Sequence, residues 1–319
     1  MHVTALRHSR TAAAAQDGPP SRKHRNTAGG ARRLATAAPF VLPSLIGVAA
    51  FLLIPVVIVL VLSFVQWNFL TPPRWVGLAN FSTIVRHDHV FHALLISAYY
   101  VLWNIPFQTV LALALAMLLV RKMPAMGVFR ALYVLPYMST PVAMAVVWSW
   151  LFNAQNGLIN HLLLLVGVHG PDWLGSTSTA LPVVAMVNTW QYAGYNMLFF
   201  LAGLLAIPPQ LYESASIDGA SAFRQFTRIT LPLLNSTMLF VLVTDIIGSF
   251  QIFDTVYVMT QGGPGNATNV VNYQIYQTAF QNFDVGSAAA MSLLLFAVIL
   301  VVTVIQFRFF RSRITYEIA

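Results

Sequence analysis

Two acids and one polar stripe stand out in a sequence otherwise short of charge. Asn188, Gln191, Tyr192 and Tyr195 fall at i, i+3, i+4 and i+7 within one apolar stretch. On a helix that spacing puts all four on one face. Amides supply donors and acceptors while aromatic rings supply flat apolar faces, so the stripe suits the hydroxyls and C–H faces of a sugar. In the next apolar stretch Asp245, Gly248, Ser249 and Ile252 make a matching face. Asp254 lies nine residues beyond Asp245, about two and a half helical turns, so an unkinked helix points the two acids in opposite directions. Asp245 is therefore assigned to a ligand path and Asp254 to a gate or to packing against another span. The same separation argues against an aspartyl pair carrying out intramembrane proteolysis. Interhelical hydrogen bonding is the alternative use of such stripes.

Other chemistry is thin. His87, His89 and His92 cluster with Asp88, but without paired or helical ligand spacing they read as polar surface rather than a metal site. The absence of cysteine excludes disulfides, thiol nucleophiles and Cys-ligated metal. No G-x-x-x-x-G-K-[ST] phosphate loop occurs, so the chain does not cradle ATP in the usual way and no resident cofactor or metal is expected. Asn266-Ala267-Thr268 matches a glycosylation sequon and reads as chance.

The elements that must position these residues are membrane helices. Only 8% of the residues are charged, 58% are hydrophobic and the mean hydropathy is +0.71, against about 25% charged in a soluble domain. Charge-poor runs place six helices at 38–64, 93–120, 132–152, 181–207, 233–259 and 286–307, each long enough to cross a bilayer. Alternating segments of about ten residues, which a transmembrane β-barrel requires, are not the pattern. Prolines such as Pro136 and Pro141 are tolerated as kinks. Of the 17 Lys and Arg, 15 fall before span one, in the loops after spans two and four, or after span six. By the positive-inside rule both termini and those loops are cytoplasmic. The net charge of +8 is thus a topology signal, and nucleic-acid binding loses its support. Residues 1–36 read as a disordered basic tail able to meet anionic lipid, and not as a cleaved signal peptide. The membrane domain covers 37–313, with a C-terminal tail at 314–319. Outside, 158–168 reads as an interfacial amphipathic piece.

The loop between spans four and five, 208–232, has its own plan. Pro209 suits the first position of a helix, Asp218-Gly219 a stop after about ten residues, and Ser221 the cap of a second helix whose Phe223, Phe226 and Ile229 share a face. Small residues at Ser214, Ala215, Ser216, Gly219 and Ala220 allow a partner to approach closely. On periodicity alone, a linker resting on the membrane fits as well as a docking element.

Glu213-Ser214-Ala215, Asp218-Gly219-Ala220 and Ile229-x-Leu231-Pro232 resemble the EAA signature of binding-protein-dependent ABC importer permeases of the carbohydrate-uptake, maltose permease-like group. Thr260-Gln261-Gly262-Gly263-Pro264 is similar to the Thr-x-Gly-Gly-Pro of the same permeases. The resemblance covers about 38–313, with Ser214 standing where the signature usually has Ala. It implies an all-α integral membrane protein with the six-helix type I, maltose permease-like fold, in the bacterial cytoplasmic membrane. It also implies a coupling helix at 208–232, with Glu213, Ala215, Asp218, Gly219 and Ala220 against a cytoplasmic ABC ATPase dimer that binds ATP and Mg. The implied partners are a second homologous permease subunit and an extracytoplasmic solute-binding protein, and the implied mechanism is alternating access. The polar faces of spans four and five are the expected substrate residues. A neutral or amino sugar suits them better than a phosphate ester, because span four's stripe is neutral and position 245 carries an acid. Glycerol 3-phosphate or another polyol is the alternative, and an ion-coupled secondary transporter the more distant one.

Overall fold

The computed structural model describes residues 39–86, 88–120 and 125–311. The tails expected at 1–36 and 314–319 lie outside these residues, as do His87, Arg121 and Lys122.

The chain divides into two compact units at Pro55/Val56. In the first, residues 39–55 begin helix α1 (Pro39–Leu62) and include a π turn at Ala49–Leu53. None of these residues is buried, and Phe40 and Phe51 are 83% and 87% exposed. An apolar helix with outward side chains all round requires a non-aqueous surrounding.

In the second unit the end of α1 leads into a short antiparallel pair, β1 (Val65–Gln66) with β2 (Arg74–Trp75), in which Val65 faces Trp75. Then come α2 (Ala79–Arg86), α3 (Asp88–Leu119), α4 (Met126–Met138), α5 (Pro141–Leu151), α6 (Leu158–Leu165) and α7 (Ala180–Leu205). A hairpin follows, α8 (Pro209–Ile217) and α9 (Ala222–Gln225), the latter continued by a π turn at Phe226–Thr230 and a short turn at Leu231–Leu233. The last elements are α10 (Asn235–Phe250), α11 (Asp254–Met259), α12 (Val271–Tyr276, continued by a π turn at Gln277–Gln281) and α13 (Val285–Arg311).

Helix α1, helix α3, the α10–α11 stretch and α13 are each long and apolar enough to span a bilayer. With the apolar pairs α4–α5 and α7–α8, bent by 95° and 66°, each taken as one span, the described residues give six, in the order expected. The longest pairing is α3 along α7, where Ala112 and Ala116 are fully buried beside Met197, Phe200 and Leu204. Small residues let two membrane helices approach closely.

Two spans depart from the straight helices expected. The third turns sharply at Ser139 and Thr140, both extended, where 132–152 reads as one helix. A residue before proline is driven out of the helical region, and Pro141 then occupies the first position of α5. Thr140 caps α5 by accepting from the Ala143 amide at 3.4 Å. The fifth span breaks between Phe250 and Asp254, with Phe253 at φ −143°, ψ −59°. The face expected for Phe223, Phe226 and Ile229 is also not formed. Phe226 and Ile229, both in the π turn, pack against the inner core, while Phe223, in the α-helical turn before it, is 75% exposed.

Candidate functional site

The breaks in spans three and five create the site. Between α3, α4, α7 and the broken fifth span lies a cavity of about 210 Å³. From span four it is lined by Asn188, Tyr192 and Tyr195, and from span five by Asp245, Gly248, Ser249 and Ile252. Gln191 is placed elsewhere: it is buried, and its Nε2 donates to the Ser139 carbonyl at 3.2 Å. That carbonyl lacks its helical partner because the Ala143 amide is engaged by the Thr140 side chain. The bent third span thus draws Gln191 away from the stripe it shares with Asn188 and Tyr195.

Asp254 also lines the cavity, contrary to the opposite-face expectation. The unkinked helix assumed for 233–259 is interrupted at 251–253, and the interruption brings the second acid round. The Gln251 carbonyl at the break accepts from Asn272 Nδ2 at 3.0 Å, and Asn188 Nδ2 donates to Thr255 Oγ1 at 3.0 Å, holding α11 in its new direction.

Four further residues of the site were missed in the sequence. Tyr137, just before the third-span break, stacks on Tyr195 at 4.1 Å and meets Tyr192 edge-on at 5.6 Å. Asn104 and Gln108 of α3, one turn apart, also line the cavity. Asn104 is a hub: it accepts from Thr189 Oγ1 at 3.1 Å and donates to Ser249 Oγ at 3.1 Å and Gln108 Oε1 at 3.2 Å. Asn196 donates to Asp245. An amide pair at i, i+4 inside an apolar span was the available signal, because buried amides in a membrane need a partner or a cavity. Among the described residues, no Lys, Arg or His lines this cavity. It offers stacked phenol rings, amides, hydroxyls and two carboxylates, which can bind a polyhydroxylated ligand.

A second feature lies at the opposite end of α7. Helix α8 starts with Pro209 at its first position and stops in a Schellman turn: Gly219 at φ +74°, Ala220 N–H to Ala215 C=O at 2.8 Å, and Gly219 N–H to Ser216 C=O at 3.1 Å. Ser221 then caps α9 through the Arg224 amide. Gln225 Nε2 donates to Ser216 Oγ at 2.9 Å, and the Tyr212 and Thr230 hydroxyls meet at 2.9 Å, so the two arms are braced to each other. Glu213, Asp218 and Gly219 are exposed while Ala215 and Ala220 are half-buried. Ile217 of α8 is 87% and Phe223 of α9 75% exposed, so each arm of the hairpin carries an outward apolar side chain.

A bundle of membrane spans around a polar cavity, with a braced helical hairpin projecting from one end, defines a membrane transport permease. The model of the family described as "Binding-protein-dependent transport system inner membrane component" matches residues 87–316, and the chain belongs to that family. It is 35% identical over 244 residues to the sn-glycerol-3-phosphate transport system permease protein of Agrobacterium fabrum, covering 76% of this chain and 83% of that protein. It is 31% identical over 275 residues to the trehalose/maltose transport system permease protein of Thermococcus litoralis, covering 86% and 92%. The fold matches a chain of a bacterial ABC transporter involved in the import of the acidic polysaccharide alginate, with a TM-score of 0.78 at 22% identity over 90% of this chain and 99% of that one.

Proposed function

We propose that this permease carries a carbohydrate, a neutral oligosaccharide or an amino sugar, across the bacterial cytoplasmic membrane by ATP-driven alternating access. The observation that carries the substrate class is the cavity lining: stacked Tyr137 and Tyr195 beside Asn188, Asn104 and two carboxylates, with no cationic side chain among the described residues. Pyranose C–H faces pack on such rings, and sugar hydroxyls donate to carboxylates and exchange hydrogen bonds with amides. Asn188, Tyr192, Tyr195, Asp245, Gly248, Ser249 and Ile252 are the substrate residues of this reading, joined by Tyr137, Asn104 and Gln108.

The α8–α9 hairpin is the coupling element. Glu213, Ala215, Asp218, Gly219 and Ala220, with the exposed tip, seat in a separate cytoplasmic ABC ATPase dimer that binds ATP and Mg. Hydrolysis resides there, and this chain is non-catalytic. One hairpin per chain calls for a second, homologous permease subunit on the ATPase dimer, and a solute-binding protein delivers substrate to the outer loops. Both termini face the cytoplasm, as the basic residues dictate.

A second reading, glycerol 3-phosphate or another polyol, is favoured by the similarity to the Agrobacterium fabrum permease. Against it, a phosphate dianion beside two carboxylates meets repulsion that no Lys, Arg or His among the described residues lining the cavity offsets. The test is uptake by proteoliposomes holding this chain, its sister permease, the ATPase and the loaded binding protein. ATP-dependent sugar uptake is expected; uptake of glycerol 3-phosphate alone, or uptake that needs no ATPase, overturns the reading.

A further inference from the structure

An unbroken series of aromatic rings leads away from the cavity, and nothing in the transport reading so far uses it. It starts at Phe253, which lines the cavity at the span-five break. Phe253 lies 5.3 Å from Tyr257 and 5.2 Å from Tyr276, the two tyrosines are 5.4 Å apart, and Tyr276 is 5.5 Å from Phe280.

The direction of the series follows from two hydrogen bonds. Helix α12 begins at the depth of the break, where Asn272 donates to the Gln251 carbonyl. The chain beyond its π turn arrives beside the loop between spans one and two, where the Val285 amide donates to the Trp67 carbonyl at 3.0 Å. That loop lies at the end of the bundle opposite the α8–α9 hairpin. On the topology read from the basic residues, with the α8–α9 hairpin cytoplasmic, the rings run from the cavity toward the outer side.

Buried Tyr273 backs the series at 6.3 Å from Phe253, Tyr257 and Tyr276 alike. Gly262 of the Gly-Gly-Pro turn lies against the Tyr273 ring, and Thr268 ties that turn together by donating to the Thr260 hydroxyl and the Gly263 carbonyl. Phe280 is 60% and Tyr257 40% exposed, so within this chain these two rings are only partly covered.

We infer that Phe280, Tyr276, Tyr257 and Phe253 form an aromatic guide along which a sugar ring passes from the outer face to the intramembrane cavity. This inference rests on the carbohydrate reading above. Flat rings spaced about one sugar ring apart give a moving pyranose successive C–H–π contacts without a deep binding site. The Gly-Gly-Pro turn then has a definite task, to fix Tyr273 and through it the guide.

The test compares Tyr276→Leu/Phe280→Leu, which keeps apolar bulk but removes the ring faces, with Tyr276→Phe/Phe280→Tyr, which keeps them. Both are reconstituted as full transporters, and recovery and elution volume of the purified complex report assembly. Probes are radiolabelled maltose, trehalose, glucosamine and glycerol 3-phosphate, each presented on loaded binding protein. The leucine pair is expected to raise the KM for loaded binding protein about threefold to tenfold with little change in the saturated rate, and the ring-keeping pair to transport like wild type. Sugar uptake unchanged in the leucine pair, or equal impairment in both pairs, overturns the guide while leaving the carbohydrate reading in place. Wild-type uptake of glycerol 3-phosphate alone overturns the carbohydrate reading, and the guide with it.

Discussion

Asn196 Nδ2 donates to both carboxylate oxygens of Asp245, at 2.8 and 2.7 Å, deep between spans four and five. The pair is buried, with 2% of Asn196 and 8% of Asp245 exposed. A hydrogen bond to an ionised group is worth about 1.5–3 kcal/mol, and the cost of leaving such a group unpaired is larger than the gain from pairing it. Asn196→Leu is therefore expected to lower the melting temperature of the detergent-solubilised complex and to cut uptake at least about tenfold. In Asn196→Leu/Asp245→Leu no carboxylate is stranded, so the melting temperature should recover while uptake stays low. Recovery of both would show that Asp245 has no part in transport; recovery of neither would show that the pair is not the source of the instability.

At the other end of span four, Gly219 sits at φ +74° in the turn that ends the coupling helix. A side chain in that left-handed region costs roughly 1–2 kcal/mol, least for Asn and most for β-branched residues. None of the described residues crowds the position, so a Cβ there meets strain and whatever docks. ATP-driven uptake should fall in the order Gly, Asn, Ala, Val at 219, with Val losing about tenfold or more. Ligand release from the binding protein is measured alongside. If Gly219→Val left uptake and stimulated ATP hydrolysis at wild-type values, the coupling role would be wrong.

The two arms of the hairpin are braced by Gln225 on Ser216 and by Tyr212 on Thr230. Each hydrogen bond is worth about 1 kcal/mol. Loosening both with Tyr212→Phe/Gln225→Ala should make the hairpin compliant without removing any docking residue. The expected result is a rise in ATP hydrolysed per sugar imported, read by measuring both rates in one proteoliposome preparation. An unchanged ratio would mean that docking alone holds the hairpin rigid.

Much of this architecture is written in local residue patterns. The charge-poor runs mark all six spans, and Pro209, Asp218-Gly219 and Ser221 mark the hairpin, because helix starts and stops depend on a few neighbouring residues. The site was legible only in part. Asn188, Tyr192 and Tyr195 reach the cavity as the helical count implies, but Gln191, on the same count, is taken by the Ser139 carbonyl. The count of turns between Asp245 and Asp254 fails for a similar reason: it assumes a continuous helix, and 251–253 is not one. Pro141 announces a kink but not a 95° turn, which depends on what the freed carbonyls find across the bundle.

The crossing of spans three and four gives the sharpest test of how the cavity is held. At Gly194 span four meets the backbone of span three so closely that a Cβ would run into the Tyr133 carbonyl. Tyr133 is one turn before Tyr137, whose ring stacks on Tyr195, the residue after Gly194. A backbone carbonyl cannot turn aside as a side chain can, so Gly194→Ala must move α4 bodily, and overpacking of this kind costs about 1–3 kcal/mol. At Gly203 an added Cβ instead meets the side chains of Thr237 and Leu234, which can adjust. Gly194→Ala is thus expected to lower the melting temperature and to reduce sugar uptake about tenfold, by displacing Tyr137 from the cavity. Gly203→Ala should do neither to a comparable degree. Equal effects from the two substitutions would mean that glycine matters along span four only for general packing, and that the contact with Tyr133 does not set the position of Tyr137.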